Sequence, residues 1–226
     1  MNGYNLYMQS CLLSEQGSIV PSWHYYTYDG QVAAANGDCV VLSILSVWTM
    51  YLSVGNICVG CNTTFGLSKI GSGLRFLNVV IPQGATITAA YIQVSARSSQ
   101  SAATVNSKII GSLDSNPAVW STIADYQARR GTSVGGANNS RRTTAEVAWA
   151  AIAAWTVGTW YTSPSIVSVI QELINQAAFV SGNALALFWD DHDGLGSSGV
   201  TYREGEGYVA VPAEAAKLHI EASKYF

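Results

Sequence analysis

Asp190-Asp191-His192-Asp193-Gly194 is the densest group of ligand-type side chains in the chain. Asp190, Asp191 and Asp193 can offer the several oxygens that a hard cation needs from one tight loop, so calcium is one reading. Asp-Gly also favours a hairpin turn, which is the other. The EF-hand pattern is not completed, because no Glu closes it at the required spacing after the Gly. Glycoside hydrolysis needs two carboxylates facing each other across a cleft. Asp190, Asp191, Glu204 and Glu206 are available, but nothing in the sequence pairs them. His24, His192 and His219 are scattered, with His219 expected on the outward, solvated face of the last strand. No phosphate-loop sequence occurs. The expectation is a protein that is not an enzyme and needs no cofactor, calcium being the one candidate.

The cysteines are Cys11, Cys39, Cys58 and Cys61. Cys58-Val59-Gly60-Cys61 has a spacing seen in zinc and redox sites. A structural zinc wants four ligands, and no second close pair or His partner is visible. Reduced buried thiols, one or two disulfides and a metal site remain as alternatives. Arg129-Arg130 and Arg141-Arg142 bracket a Gly/Ser/Asn tract, and residues 129–143 read as a loop. Its arginines either sit solvated or bind an acidic surface, a glycan or a neighbouring subunit, since Arg forks suit carboxylates. Trp23, Tyr25, Tyr26 and Tyr28 cluster before the Asp29-Gly30 turn. They read either as packing on one strand face or as a platform through Trp23, Tyr25 and Tyr28 for a sugar ring or partner chain.

The chain of 226 residues is long enough to bury a real core. Charged residues make up 11% and apolar ones 49%, against about 25% charged in an average domain. A net charge of −3 argues against nucleic acid and offers no polybasic surface to a membrane. The apolar run 40–54 is too short to span a bilayer and reads as two consecutive buried strands. The start Met1-Asn2-Gly3-Tyr4-Asn5 lacks the basic opening and apolar core of a secretion signal.

The elements that must position these residues are mostly strands. Ala90, Ile92, Val94 and Ala96 alternate with Tyr91, Gln93 and Ser95, the period of a half-buried strand. Leu74, Phe76 and Val79 lie in an extended run before the Pro82-Gln83-Gly84 turn. Further strands are expected at 85–96, 104–110, 145–149, 184–189 and 215–221. Residues 118–128 read as short helix or irregular chain. Ile166, Val169, Ile170, Leu173, Ile174 and Ala177 recur with helical period, predicting one docked helix over about 164–177 with Ser163 as its cap. Residues 1–37 read as an N-terminal arm or early strands, and 38–226 as the domain.

Several segments appear in a telling order: Gly73-Leu74-Arg75-Phe76, then 80–93, then Ile170-Gln171-Glu172-Leu173-Ile174-Asn175, Ser181-Gly182-Asn183-Ala184-Leu185 and Ala216-Lys217-Leu218-His219-Ile220-Glu221. Together they resemble the β-sandwich domains of tailed-phage virion proteins, akin to DNRLRE-type, carbohydrate-binding-module-like jelly rolls. The resemblance implies an all-β, jelly-roll-like antiparallel sandwich. It also implies a non-enzymatic virion structural protein of a tailed phage: capsid decoration, head fibre or tail-associated adhesin, with surface glycan as a candidate ligand. The expected partners are its own copies, with a trimer favoured, and other virion proteins. The alternative is a glycan-binding module of a secreted bacterial protein. The motif residues are core and turn positions, so no binding residue carries over. The insertion at 131–142 and the first forty residues depart from the pattern.

Overall fold

In a computed structural model, the structure describes residues 21–44, 47–63, 68–100, 104–131, 141–195, 197 and 199–226. Cys11 and most of the 131–142 insertion lie outside them. The strands are β1 (Trp23–Gln31), β2 (Asp38–Ile44), β3 (Val47–Leu52), β4 (Asn56–Asn62), β5 (Ser68–Phe76), β6 (Thr86–Ser95), β7 (Val105–Ser112), β8 (Arg142–Ile152), β9 (Trp160–Thr162), β10 (Leu185–Asp190), β11 (Val200–Glu206) and β12 (Lys217–Tyr225). The helices are α1 (Ile123–Arg130) and α2 (Val167–Ile174). All strand pairings are antiparallel.

A four-stranded sheet in the order β1-β12-β6-β9 faces an eight-stranded one in the order β11-β4-β5-β10-β7-β8, to which β2 and β3 attach through β5. The fold is therefore an all-β antiparallel sandwich. Its main core joins Ile92, Val94, Leu218 and Ile220 of the small sheet to Leu74, Phe76, Ile109, Leu187 and Trp189 of the large one. The period-2 pattern of β6 and β12 follows directly, because one face is buried and the other is open. β1 belongs to the small sheet, pairing residue by residue with β12.

β10 is buried at every position. Leu185, Leu187 and Trp189 face the main core. Ala186 and Phe188 belong to a second cluster with Cys39, Val41, Ile110, Trp120 and Tyr126, flanked by Trp48 and Met50. A cover made of α1 and the β2–β3 hairpin therefore lies over the outer face of the large sheet. This explains why β2 is mostly buried while β3 alternates between exposed and half-buried.

α2 docks where the sequence period predicts, through Val169, Ile170, Leu173 and Ile174. It is shorter than expected, and Ser163 is not its cap. The Ser163 hydroxyl instead accepts from Ile92 N–H and donates to Pro164 C=O. α2 also places Glu172 against β8, where its two oxygens accept from Thr144 and Ala145 N–H at 2.8 Å each. The β7–β8 ladder shifts register there, between Ile110 and Ser112, so the carboxylate satisfies donors that the irregularity frees. A second helix, α1, occupies the segment read as helical or irregular and runs two residues beyond it.

β4 and β5 pair at Gly60–Ile70, Cys61–Lys69 and Asn62–Ser68. Two residues further, Ser72 would stand opposite Cys58, but the β4 ladder has ended and Ser72 instead lies between Val40 of β2 and Trp189 of β10. The Ser72 hydroxyl fills the gap, accepting from Cys58 N–H at 2.8 Å and donating to Cys58 C=O at 2.9 Å. Ser72→Ala removes both partners from buried backbone groups. It should lower unfolding stability by about 1–3 kcal/mol in urea titrations, while Ser72→Thr, which keeps the hydroxyl, should lose less.

A groove on the small sheet and a buried ion cluster

The outer face of the small sheet carries the alternate residues of β1, β12 and β6. Register aligns them in two rows, Asp29–His219–Tyr91 and Gln31–Lys217–Gln93–Thr162. In the first row His219 Nδ1 lies 2.6 Å from Asp29 Oδ1, and Nε2 lies 3.4 Å from Glu221 Oε1. The imidazole stacks on Tyr91 with ring centres 4.7 Å apart. His219 is thus held by two carboxylates and a ring rather than freely solvated, with only 16% of its side chain exposed. In the second row Lys217 Nζ sits 4.0 Å over the Trp160 ring, and Gln93 donates to Thr162 Oγ1.

A groove of about 460 Å³ adjoins these rows, lined by Asp29, Gln31, Gln93, Lys217 and His219 of this face together with the buried Tyr28 and with Leu77 and Asn78 that follow β5. Carboxylate, amide, ammonium and imidazole groups together offer donors and acceptors to a neutral polar ligand such as a hydroxyl-rich one. Among the described residues, neither nitrogen of His219 hydrogen-bonds a hydroxyl or thiol, so the Asp29–His219 pair activates no visible nucleophile. Further along the same face, Trp23 is 57% and Tyr25 68% exposed, next to Tyr225 and Phe226. Tyr28 points the other way. It is 2% exposed, and its hydroxyl donates to Leu77 C=O, so the expected contact role for Tyr28 gives way to a core role. Strand alternation separates it from Tyr25 and Asp29.

The arginines expected on a loop are not together on the surface. Arg129 and Arg130 end α1 and are buried. Arg129 reaches Asp125 at 2.8 Å and Asp114 at 3.3 Å, with its guanidinium 5.0 Å over the Trp120 ring. Arg130 makes a two-pronged pair with Asp190, Nε–Oδ2 2.6 Å and Nη2–Oδ1 2.7 Å, and its guanidinium lies 5.7 Å over the ring of Trp48. Arg142 lies 3.8 Å from Asp193, and Arg141, half-exposed, pairs with Asp114 at 2.5 Å.

The acidic run at the end of β10 is correspondingly occupied. Asp190 faces Arg130, Asp191 faces Lys69 at 3.5 Å, and Asp193 faces Lys108 and Arg130. Lys108 also reaches Glu146 at 2.7 Å. Each carboxylate that would serve calcium meets a cation instead. Among the described residues no group of three or more His, Cys, Asp or Glu side chains has metal-holding geometry. Burial alone would raise Asp190, but the charge and hydrogen bonds of Arg130 outweigh it and bring its pKa down to about 2. His192, buried beside Trp48 with Ser43 Oγ on its Nδ1, is pushed down to about 4, chiefly by loss of water. The expected Cys58–Cys61 pair lies on strand β4, and Cys39, Cys58 and Cys61 are free buried thiols whose pKa burial raises. Such thiols are poor nucleophiles. The sequence signal missed was the alternation of Asp29, Gln31, Gln93, Lys217 and His219 on three strands, visible only once their register is known.

No protein-family model matches the chain, and no curated protein matches it. Among solved structures, one from Desmodium yellow mottle tymovirus is similar at a TM-score of 0.29 and 8% identity, covering 96% of this chain and 96% of that chain. No helix among the described residues is long and apolar enough to cross a membrane.

Two outcomes follow from the ion cluster. Asp190→Ala leaves Arg130 buried without its main counter-charge and should cost about 3–5 kcal/mol in urea unfolding, whereas Arg130→Met combined with Asp190→Leu should recover most of that loss. His192 stays neutral when folded but protonates below about 6.5 when unfolded. Its contribution is therefore whole above that pH and is lost as pH falls from 6.5 toward 4. Asp38, which burial pushes up to about 6, acts oppositely and adds stability as pH falls from about 6 to about 4. In His192→Asn the acid loss between pH 7 and 4 should shrink by about 3 kcal/mol relative to wild type, read from paired urea titrations.

Proposed function

We propose that this chain is a non-enzymatic virion structural protein of a tailed phage that assembles as a homo-oligomer and presents the outer face of its small sheet to surface glycan. One observation carries the binding half of this reading: the groove lined by Asp29, Gln31, Gln93, Lys217 and His219, with the exposed rings of Trp23 and Tyr25 on the same strand face. Amide, carboxylate and ammonium groups pair with sugar hydroxyls, while exposed aromatic rings offer apolar area at low entropic cost. The particle half rests on the low charge content, which suits a surface buried among copies, and on the motif order of the sandwich. No step of catalysis is assigned.

The second reading is a glycan-binding module of a secreted bacterial protein, and it uses the same groove. Immunogold labelling of particles from the source culture distinguishes the two. Regular label on heads or tails is the expected outcome, and label confined to cell surfaces would transfer the reading to the secreted module. For binding, titration calorimetry with surface polysaccharide purified from the same cells should show heat. Lys217→Ala or Gln93→Ala should weaken the interaction tenfold or more with unfolding stability unchanged. Absence of heat with wild-type protein would remove the glycan assignment.

A further inference from the structure

β1 is the outermost strand of the small sheet and borders the groove. Ser22 and Phe226 exchange both backbone hydrogen bonds, and Val32 N–H bonds Ala216 C=O at the other end. Register is unbroken between them. In an antiparallel ladder these exchanges recur at every second residue. The even-numbered residues of β1 therefore bond β12. Trp23, Tyr25, Thr27, Asp29 and Gln31 turn their N–H and C=O groups to the open edge. Among the described residues nothing pairs with that edge.

The edge also lacks the usual protection. It is nine residues long, contains neither Pro nor Lys, and has no bulge. Among the described residues β3, six residues long, likewise has a partner strand on one side only, while the remaining edges are managed. β9 has three residues. β8 is broken by two register shifts, and its Ala151 N–H is taken by Asn106. β11 is met by the 96–100 segment through Arg97 N–H to Glu204 C=O and Glu204 N–H to Gln100.

We propose that β1 pairs antiparallel with β1 of a second copy of this chain, and that the pairing completes the ligand groove. The inference rests on the groove reading above for its second half only. Two identical edges close on each other about a two-fold axis. Centring that axis on Thr27 uses every open backbone group, pairing Thr27 with the partner's Thr27, Tyr25 with the partner's Asp29 and Trp23 with the partner's Gln31. No like charges meet, because Asp29 is the only carboxylate on β1 and it faces a tyrosine. The same register sets the partner's Tyr25 beside Asp29 and the partner's Trp23 beside Gln31, both of which line the groove. Taken alone, the groove has Tyr28 as its only Phe, Tyr or Trp lining residue among the described residues, and Tyr28 is buried. The two sheets of four strands become one of eight, and each copy supplies the aromatic wall of the other's site. This also accounts for two large rings left in water on one strand. Such a two-fold contact is compatible with a dimer or an even-numbered assembly rather than a simple trimer.

Light scattering on the full chain across micromolar concentrations tests the pairing. A dimer is expected, and a monomer throughout would overturn it. Thr27→Pro deletes an N–H that points to the open edge and leaves the β12 ladder alone, so it should weaken the dimer tenfold or more with circular dichroism unchanged. A Thr27→Pro protein that still dimerises as well as wild type would also overturn it. Should that variant misfold, amide exchange on wild type decides. Tyr25, Thr27 and Asp29 N–H should be protected at high concentration and exchange freely on dilution, and equal exchange at both concentrations counts against the pairing. Calorimetry with the purified surface polysaccharide separates the two readings. A dimer that draws no heat keeps the pairing and loses the glycan role, and a monomer that binds does the reverse.

Discussion

The ion pair between Arg130 and Asp190 is the constraint around which the outer layer is arranged. Both groups have no exposed side-chain surface, so each would be costly without the other. Their two-pronged geometry fixes the end of α1 against the end of β10. Trp48 lies over the guanidinium and against His192, which ties the β2–β3 hairpin to the same point. Lys108, Asp193 and Arg142 continue the alternation of charge onto β7 and β8. A chain with few charges has thus concentrated many of them in one enclosed cluster, where a low dielectric makes each pairing count.

That concentration leaves the two faces of the molecule chemically different. The large sheet spends its outer face on the cover, and β10 becomes a strand with no solvent side. Among the described residues the small sheet has no such cover. Its outward residues are free to meet other molecules, and they are a mixture of amides, carboxylates, one lysine, one imidazole and several rings. The division leaves the main core between the sheets, a second cluster under the cover, and one sheet face that the described residues leave open.

Aromatic residues follow the same division. Trp149, Trp155 and Trp189 stack within the main core, and Tyr161 stacks on Trp155 with ring centres 4.7 Å apart. Trp120, Tyr126 and Phe188 fill the second cluster. Trp23 and Tyr25 are left outside, on a strand with one edge unpaired among the described residues. Large rings held in water are costly in isolation and useful at contacts, which is the physical basis for the recognition proposed for that face.

Local pattern carried much of the fold. Alternation gave β6 and β10 to within a residue and located β12, which runs four residues beyond its expected end; helical period gave α2, and turn chemistry gave Pro82-Gln83-Gly84, because each depends on neighbours within a few positions. Charge patterning misled for a reason equally physical. Arg129-Arg130 and Asp190–Asp193 lie about sixty residues apart, and read singly they look like a solvated loop and a cation site. Only the packing of α1 against the end of β10 turns Arg130 and Asp190 into partners. The groove is a stronger case. Asp29, Gln93 and His219 share nothing in sequence, since the pairing of β1 with β12 and of β12 with β6 joins the two ends of the chain to its middle. Which strand edge faces water is likewise a property of sheet order. The types of side chain available were written in the chain, while their convergence into a site was set by long-range pairing that no local period encodes.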